Sequence, residues 1–582
     1  KVTPNKMVPC ITPKKMKREC TYGEKCYRKN PMHLREFYHP HLDRIMDSYS
    51  GTGQYPIPEH LRLYSDMIGE QLDIIREKGM FFYCDSTYDS TQLDVGTGID
   101  IKQTSSNPPG SSESSTSTAS SMHFSSLVKC FFTDTNYRPM IPPTRRPQEF
   151  FKVVTPKGKM AEKHEKSAPF YIFYTTITSC PETHNQPLSI TFQEILDISL
   201  GELRSSLQVN FMVEAGWLLA QYYFAGYSAK RLTILYGEEN AELEAISAKK
   251  PNVDTYLVPK PSLFGTHHTK MMILDYEDGS IRVVVSTANL YYDDWENRTQ
   301  GLWFSPRCPP LPAGLGPNDG DSPTKFKASL LDYLHSYNRI KVEYYIDRVT
   351  ACNFSHINVF LVGSIPGSHL GFDWGMKRVG ALLKEYCAIP ADENHEWEFI
   401  AQSSSLGSFG KEPTDWLTSE LKQNFCKIKN NSSLQCQVPK LKIVYPSFDN
   451  VAQSHDNLLG GGCLPYSGKQ HDKQRWITNY LYEWSARSSH RHKAMPHLKS
   501  YLRLHHDGNR AAYYLLTSGN LSKAAWGVPL KTTPTLKILS YELGVLFLPK
   551  FVEDKDALYI PYDFPLIKYP PSANPWIMDL LG

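Results

Sequence analysis

Residues 267–290 read HHTKMMILDYEDGSIRVVVSTANL, and residues 495–527 read MPHLKSYLRLHHDGNRAAYYLLTSGNLSKAAWG. Each stretch opens on His-x-Lys, first His268-Thr-Lys270 and later His497-Leu-Lys499. Each runs on through apolar residues and closes on small residues before Asn-Leu, at Asn289 and Asn520. One imidazole, one ammonium and one amide thus occur twice in the same order, and duplication of a supersecondary unit accounts for the repeat. In an alternating strand, His and Lys two positions apart share a face. Two such half-sites facing each other would gather two imidazoles, two cations and two amide donors around one small space. That set suits a tetrahedral phosphate: one imidazole attacks phosphorus, the other handles the leaving group's proton, and the cations hold the charge.

The phrase is informative because it is long. A third H-x-K, His164-Glu-Lys166, lies in the charged MAEKHEKSAP with no apolar run directly behind it. The neighbouring Ser454-His455-Asp456 is no triad, since consecutive residues on a strand or helix cannot adopt that geometry. Gly460-Gly461-Gly462 reads as a plain turn rather than a phosphate cradle.

With its companions KPSLFGTHHTKMM, SSSLGSFG, LPYSGKQHDKQRW and SYELGVLFLP, the repeated phrase resembles the phospholipase D superfamily, and within it the tyrosyl-DNA phosphodiesterase branch. The resemblance runs from about Ala168 to about Pro549. The superfamily phrase carries an aspartate five residues after the lysine. Asp275 has that spacing in the first copy, while Leu504 stands there in the second; the tyrosyl-DNA branch dispenses with it. The resemblance implies an α/β fold of two pseudo-symmetric domains with the active site between them. It implies a DNA-repair hydrolase that cleaves tyrosine, as in a trapped topoisomerase I peptide, or another adduct from a DNA 3′ end, in the manner of a 3′ exonuclease. His268 is then the nucleophile and His497 the proton donor and acceptor. Lys270, Lys499, Asn289 and Asn520 hold the phosphate oxygens, without a divalent metal. Gln300 and Glu542 match residues that bond the far nitrogens of the histidines; an amide on one ring and a carboxylate on the other would separate their basicities. Phe264 matches a residue that stacks on a base of single-stranded DNA. Ser404, Ser405, Ser408 and Lys473 match contacts to the DNA backbone.

A second pattern lies near the start: Cys20, Cys26, His33 and His39, with five, six and five residues between. Two Cys and two His at such spacing can close a tetrahedral zinc site. The interval is too short to bury a core, so metal would supply its folding energy. C-x5-C-x6-H-x5-H resembles the poly(ADP-ribose)-binding (PBZ) finger, and Tyr22, Tyr27 and Arg28 match positions that contact ADP-ribose there. Aromatic faces stack on adenine and an arginine fork holds phosphate.

Composition fits these expectations. At 582 residues and 41% hydrophobic, the chain is long enough for several domains. A net charge of +3 places any nucleic-acid surface in a local groove rather than a basic tail. Twelve cysteines are too few for a disulfide framework in a chain of this length. No 18-residue apolar run suggests a membrane helix, and Lys1 with no signal-like segment after it suggests a trimmed start. The expected organisation is a finger over 1–45, a helical segment of unassigned role over 46–100 and a Ser-rich flexible linker over 101–122. The two catalytic domains would follow over 123–350 and 351–582. Within them APFYIFYTTI, LTILYG, INVFLVGS, LKIVYPS and YELGVLFL read as strands, FQEILDISLGELRSSL as a helix, and residues 58–79 as a helix ending at Gly79. A nuclear monomer, with the cytoplasm as a second location, is expected. Its partners would be DNA with 3′ adducts and poly(ADP-ribose) or modified proteins carrying it. Two alternatives stay open: a phospholipase D-like phosphodiesterase or nuclease on another substrate, and a non-enzymatic poly(ADP-ribose) reader.

Overall fold

The structure is a computed structural model and describes residues 18–20, 23–26, 33–34, 37–51, 53–77, 147–337, 341–390, 393–429, 439–530, 532–552 and 558–581. Two compact units divide the chain, Lys1–Ser126 and Leu127–Leu580.

In the first unit, strands β1 (Arg18–Glu19) and β2 (Phe37–Tyr38) pair in parallel, and a helix follows over Pro40–Asp47. A 3-10 turn, Glu59–Tyr64, runs into a helix over Ser65–Glu77. The expected helix over 58–79 is thus present but begins as 3-10; Gly79 lies outside the described residues, as do Tyr22, Tyr27, Arg28 and the linker. The helical segment belongs with the finger. Met67, Ile68, Leu72 and Ile75 are buried together with Leu42 and Ile45, and Gln71 Nε2 donates to the Cys26 carbonyl at 2.6 Å. This small core shares with any metal the task of ordering the finger.

The second unit holds two mixed sheets. Among the described residues the first orders eight strands as β4-β3-β10-β9-β8-β5-β6-β7, and the second orders seven as β11-β20-β17-β16-β13-β14-β15. In chain order the first set is β3 (Ile172–Thr175), β4 (Ser189–Ile190), β5 (Leu203–Asn210), β6 (Arg231–Tyr236), β7 (Val253–Leu257), β8 (Met271–Tyr276), β9 (Ile281–Ser286) and β10 (Gly301–Phe304). The second is β11 (Phe360–Ser364), β13 (Trp397–Gln402), β14 (Leu441–Val444), β15 (Leu481–Tyr482), β16 (Ser500–His505), β17 (Ala511–Thr517) and β20 (Glu542–Phe547); the short β12 (Gly367–His369), β18 (Val528–Pro529) and β19 (Leu536–Ile538) form a separate three-stranded sheet.

The two large sheets superpose as a pattern. β5, β6 and β7 run parallel, as do β13, β14 and β15. β8 pairs antiparallel with both β5 and β9, as β16 does with β13 and β17. The central strands of both sheets are buried on both faces, which is why they read as near-continuous apolar runs. The repeated phrase therefore marks β8–β9 in one half and β16–β17 in the other.

Two expectations need correction. FQEILDISLGELRSSL is not one helix: Phe192–Ile195 is helical, Ile198–Leu200 is a 3-10 turn, and Leu203 opens β5. Gly201 at φ 137° reverses the chain there, and an added Cβ would lie 2.8 Å from the Tyr276 ring. The H-x-K words lie in extended chain just before β8 and β16, not within them. His164, in the third H-x-K, is a buried residue of the helix Met160–Lys166, with Nε2 at 2.8 Å from the Phe304 carbonyl. The triple glycine is a 3-10 turn packed so closely that a Cβ on Gly461 would meet Trp576 at 2.1 Å.

The halves are joined by buried polar contacts. Arg491 is buried and donates to the Thr175 carbonyl at 3.1 and 3.3 Å, to Ser189 Oγ at 2.6 Å and to the Ser489 carbonyl at 3.0 Å. Burying a guanidinium costs several kcal/mol unless its donors are met. Here they are met by carbonyls and hydroxyls, most of them from the opposite half. Asp275, at the superfamily's aspartate position, is fully buried and ties Arg204, Arg348, Ser205 and Tyr344 together at 2.7–3.0 Å. It braces the edge of the first half and does not reach the histidines' partners.

Candidate active site

Each H-x-K word leaves its own sheet and bonds to the other half. His267 forms a parallel bridge with Tyr541, and the His268 amide donates to the Tyr541 carbonyl at 3.0 Å. The next residue, Glu542, sends Oε2 to His268 Nδ1 at 2.9 Å. The second half repeats this. Thr299 bridges Pro496, and the His497 amide donates to the Thr299 carbonyl at 3.0 Å. The next residue, Gln300, places Nε2 2.9 Å from His497 Nδ1. The hydroxyls of Ser518 and Thr287 brace these supports in turn, donating to Glu542 Oε2 at 2.6 Å and to Gln300 Oε1 at 2.8 Å. Both lysines curl back onto the carbonyl of their own histidine, Lys270 onto His268 at 2.8 Å and Lys499 onto His497.

The preceding histidine, His267, is structural. Its Nδ1 faces the Asn210 carbonyl at 3.1 Å and its Nε2 faces Tyr337 Oη at 2.8 Å, so both ring nitrogens are engaged. His268 has Nδ1 held and Nε2 without a hydrogen-bond partner among the described residues, and its ring is only partly covered, at 14% exposure.

The structure adds one residue that the sequence reading missed. Asp294 is fully buried, and its Oδ2 lies 3.1 Å from His497 Nδ1 while accepting from the Asn289 backbone N–H at 2.7 Å. The expected amide on His497 and carboxylate on His268 are both in place, and Asp294 gives His497 a carboxylate as well. The signal was in the repeat itself. Aligning NLYYDDW with NLSKAAW puts Asp294 opposite Ala525, so the first half carries a charge the second lacks. The two asparagines differ as well. Asn520 Oδ1 accepts from Ser403 Oγ, Ser404 N, Ser404 Oγ and Ser405 N at 3.0–3.2 Å, which commits its amide group to donate elsewhere. Asn289 Oδ1 is buried with no hydrogen-bond partner among the described residues.

The electrostatics follow from burying this much charge. Burial, with Lys499 beside it, lowers Lys270 to about 7, and burial lowers Lys499 to about 8. Burial lowers His497 to about 3, against the pull of Asp294 and with the push of both lysines. His268 is lowered by burial and Lys270, with Glu542 opposing. Burial alone would raise the two carboxyls. The histidines and lysines reverse that, bringing Asp294 to about 2 and holding Glu542 below the usual range. The site is thus short of negative charge. A phosphate dianion or diester entering it would restore the lysines to full charge and make an imidazolium affordable.

Among the remaining candidates, Phe264 and its neighbour Leu263 are 77% and 88% exposed, a solvent-facing apolar pair just before the first H-x-K. Ser404 is buried against Asn520, Ser405 is half-buried, and Ser408 and Lys473 are exposed.

In the finger, Cys26 Sγ and Cys20 Sγ lie 3.0 and 3.4 Å from His33 Nε2, which is 3.2 Å from His39 Nε2. A tetrahedral zinc would set its N and S ligands roughly 3.3–3.7 Å apart, so the four residues fit the ion. His39 Nδ1 faces the Phe37 carbonyl at 3.2 Å, the usual outer support of a ligating imidazole.

Fold and site together define a two-half α/β enzyme in which paired H-x-K words meet across a pseudo-twofold. The chain belongs to the tyrosyl-DNA phosphodiesterase family: the family model for tyrosyl-DNA phosphodiesterase matches residues 171–570, and the PBZ domain model matches residues 17–42. It is 43% identical to tyrosyl-DNA phosphodiesterase 1 of Drosophila melanogaster over 97% of this chain and 100% of that one. It is 31% identical to the protein of that name from Arabidopsis thaliana, over 70% of each. The crystal structure of yeast tyrosyl-DNA phosphodiesterase shares the fold with a TM-score of 0.52, at 20% identity over 70% of this chain and 99% of that one.

Asp294 should act through His497. Asp294→Asn should lower turnover by ~10–100-fold, the usual loss for an outer partner of a functional imidazole. The loss should shrink for a p-nitrophenyl leaving group, which departs without acid. Steady-state rates on tyrosyl and nitrophenyl substrates check this; equal losses on both would leave Asp294 a merely structural residue.

Proposed function

We propose that the chain hydrolyses the phosphodiester joining tyrosine, or another adduct, to a DNA 3′ end, through a covalent phosphohistidine. The reciprocal seating of each H-x-K word on the other half carries this reading, because it presents two buried imidazoles and two cations to one phosphate. His268, with its Nδ1 proton donated to Glu542, attacks phosphorus with the Nε2 lone pair. The bond to the tyrosine oxygen breaks as the His497 imidazolium gives that oxygen its Nε2 proton. His497 needs a charged form for this, and Asp294 beside Nδ1 supports one once the substrate's negative charge has entered. In the second step His497, now neutral, takes a proton from water. The resulting hydroxide attacks phosphorus, the P–N bond breaks, and a 3′-phosphate leaves. The pentacoordinate oxygens are held by Lys270, Lys499 and the amide of Asn520, so the cations supply the charge a divalent metal would otherwise bring.

Phe264, exposed just before the first H-x-K, suits stacking on an unpaired base, and Ser408 and Lys473 suit the DNA backbone. Ser404 and Ser405 serve first by fixing Asn520. The finger, with zinc on Cys20, Cys26, His33 and His39 and with Tyr22, Tyr27 and Arg28 as contacts, suits poly(ADP-ribose). The enzyme would act as a nuclear monomer on topoisomerase I peptides left on DNA. Phe264 and the absence of the second aspartate favour this substrate over a lipid, and the full set of His, Lys and Asn argues against a decayed reader.

His497→Asn should stall the reaction after attack and leave protein covalently on a 3′-phosphotyrosyl oligonucleotide, while His268→Ala should give neither product nor adduct. Denaturing gels check both. An adduct formed by His268→Ala would reverse the two roles.

The flexible composition of residues 101–122 suits tethering by raised local concentration. Cys26→Ser, or Tyr27→Ala with Arg28→Ala, should abolish polymer binding and leave turnover of a short oligonucleotide within a few-fold. Polymer affinity and turnover measured on the same variant check this. Retained polymer binding would give the finger another ligand.

A further inference from the structure

At the end of β16 away from Lys499, about 20 Å along the strand, three metal-competent side chains converge: Glu396, His505 and His506. Their placement comes from the strand register. Trp397 of β13 pairs with His505, and the next pair, Glu396 with His506, closes with the His506 amide donating to the Glu396 carbonyl at 2.9 Å. β16 ends at His505, and the chain turns through Asp507-Gly508, so two consecutive imidazoles that a strand would send to opposite faces lie with ring centroids 4.2 Å apart.

The donor atoms are spaced for one ion. Glu396 Oε2 is 3.1 Å from His505 Nε2 and 3.7 Å from His506 Nδ1. All three atoms lie within 4.8 Å of one another. A tetrahedral zinc with N and O ligands would set them roughly 3.3 Å apart. His505 is also prepared as a ligand. It is buried at 5% exposure, and its Nδ1 lies 2.9 Å from Asp507 Oδ2. An Nδ1–H donated to that carboxylate leaves the Nε2 lone pair for an acceptor role, as the donor-only Arg510 guanidinium 2.8 Å from Nε2 requires, and gives the carboxylate–imidazole support that metal-bound histidines usually show. A cation already occupies the place: the Arg510 guanidinium lies 2.8 Å from His505 Nε2. It is also stacked over Trp397 at 5.2 Å and near Glu393 and Asp507 at 3.7 Å, so it has other places to rest when displaced. His395, with Nε2 3.8 Å from Glu396 Oε1, stands on the far side of the same carboxylate.

We propose that Glu396, His505 and His506 form a second site for a divalent transition metal, zinc foremost, separate from both the finger and the catalytic pocket. Asp507 orients His505 there, and Arg510 competes with the ion. Imidazole and carboxylate donors in this number suit zinc better than calcium or magnesium. The ion would staple the β16–β17 hairpin to the start of β13.

The test uses the full chain, equilibrated with micromolar zinc, freed of unbound metal by gel filtration and assayed by mass spectrometry of the metal. The parent should hold two zinc ions, one of them in the finger. Glu396→Gln and His506→Ala should each hold one, with turnover on a tyrosyl oligonucleotide unchanged as proof of folding. Arg510→Gln should hold two and resist a competing chelator better than the parent. With cobalt, the first equivalent should show the thiolate charge-transfer band of the finger. The second should add d–d bands without it, and His506→Ala should remove those bands alone. A parent that holds one zinc, or a His506→Ala variant that holds two, would overturn the proposal.

Discussion

The site depends on one constraint. Each functional imidazole must have its Nδ1 held by a group that its own half does not supply. Glu542 comes from the second half to His268 of the first, and Gln300 and Asp294 come from the first half to His497 of the second. The backbone obeys the same rule, with the amides of His268 and His497 bonded to the carbonyls of Tyr541 and Thr299. A half-molecule would therefore keep its histidine and lysine but lose both the ring's orientation and the strand-like run that carries it. The buried seam around Arg491 then matters for chemistry as well as stability, since it keeps the two halves in register.

On this near-symmetric frame, function needs asymmetry, because one ring must be a nucleophile and the other a proton carrier. The differences are few and local. Asp294 adds a carboxylate beside His497, where the duplicated unit has Ala525. Asn520 is fixed by four donors from the SSSLG turn, while the Asn289 side-chain oxygen is buried with no hydrogen-bond partner among the described residues. The lysines, lowered to about 7 and 8 by burial, make the pocket responsive to its ligand. An anion both binds to them and restores their charge, so binding and activation share one electrostatic cause.

Much of this was legible in the sequence because duplication wrote it twice. The two H-x-K words, the strands behind them and the four finger ligands all came from spacing alone, and Gln300 and Glu542 came from family resemblance. What was illegible depended on contacts across the chain. The H-x-K words lie outside regular strands because their hydrogen bonds go to the other half, which no local alternation can show. ELRSSL reads as helical by periodicity, yet tertiary pairing with β6 and β8 makes it strand. Ser404 and Ser405 look like phosphate contacts in a glycine-containing loop, but the Ser404 hydroxyl and the Ser405 backbone N–H donate to the Asn520 side chain. Asp294 was hidden in an ordinary acidic pair, Asp293-Asp294, of which only the second turns inward.

The cross-bracing has a chemical signature. With Nδ1 of His268 engaged by Glu542 at 2.9 Å, only Nε2 can attack phosphorus. The most direct measurement is therefore the position of the covalent bond: phosphorus NMR and peptide mapping of the protein–DNA adduct trapped in the His497→Asn variant. A phosphoryl group on Nε2 of His268 is the predicted result. A bond through Nδ1, or on any other residue, would contradict the account.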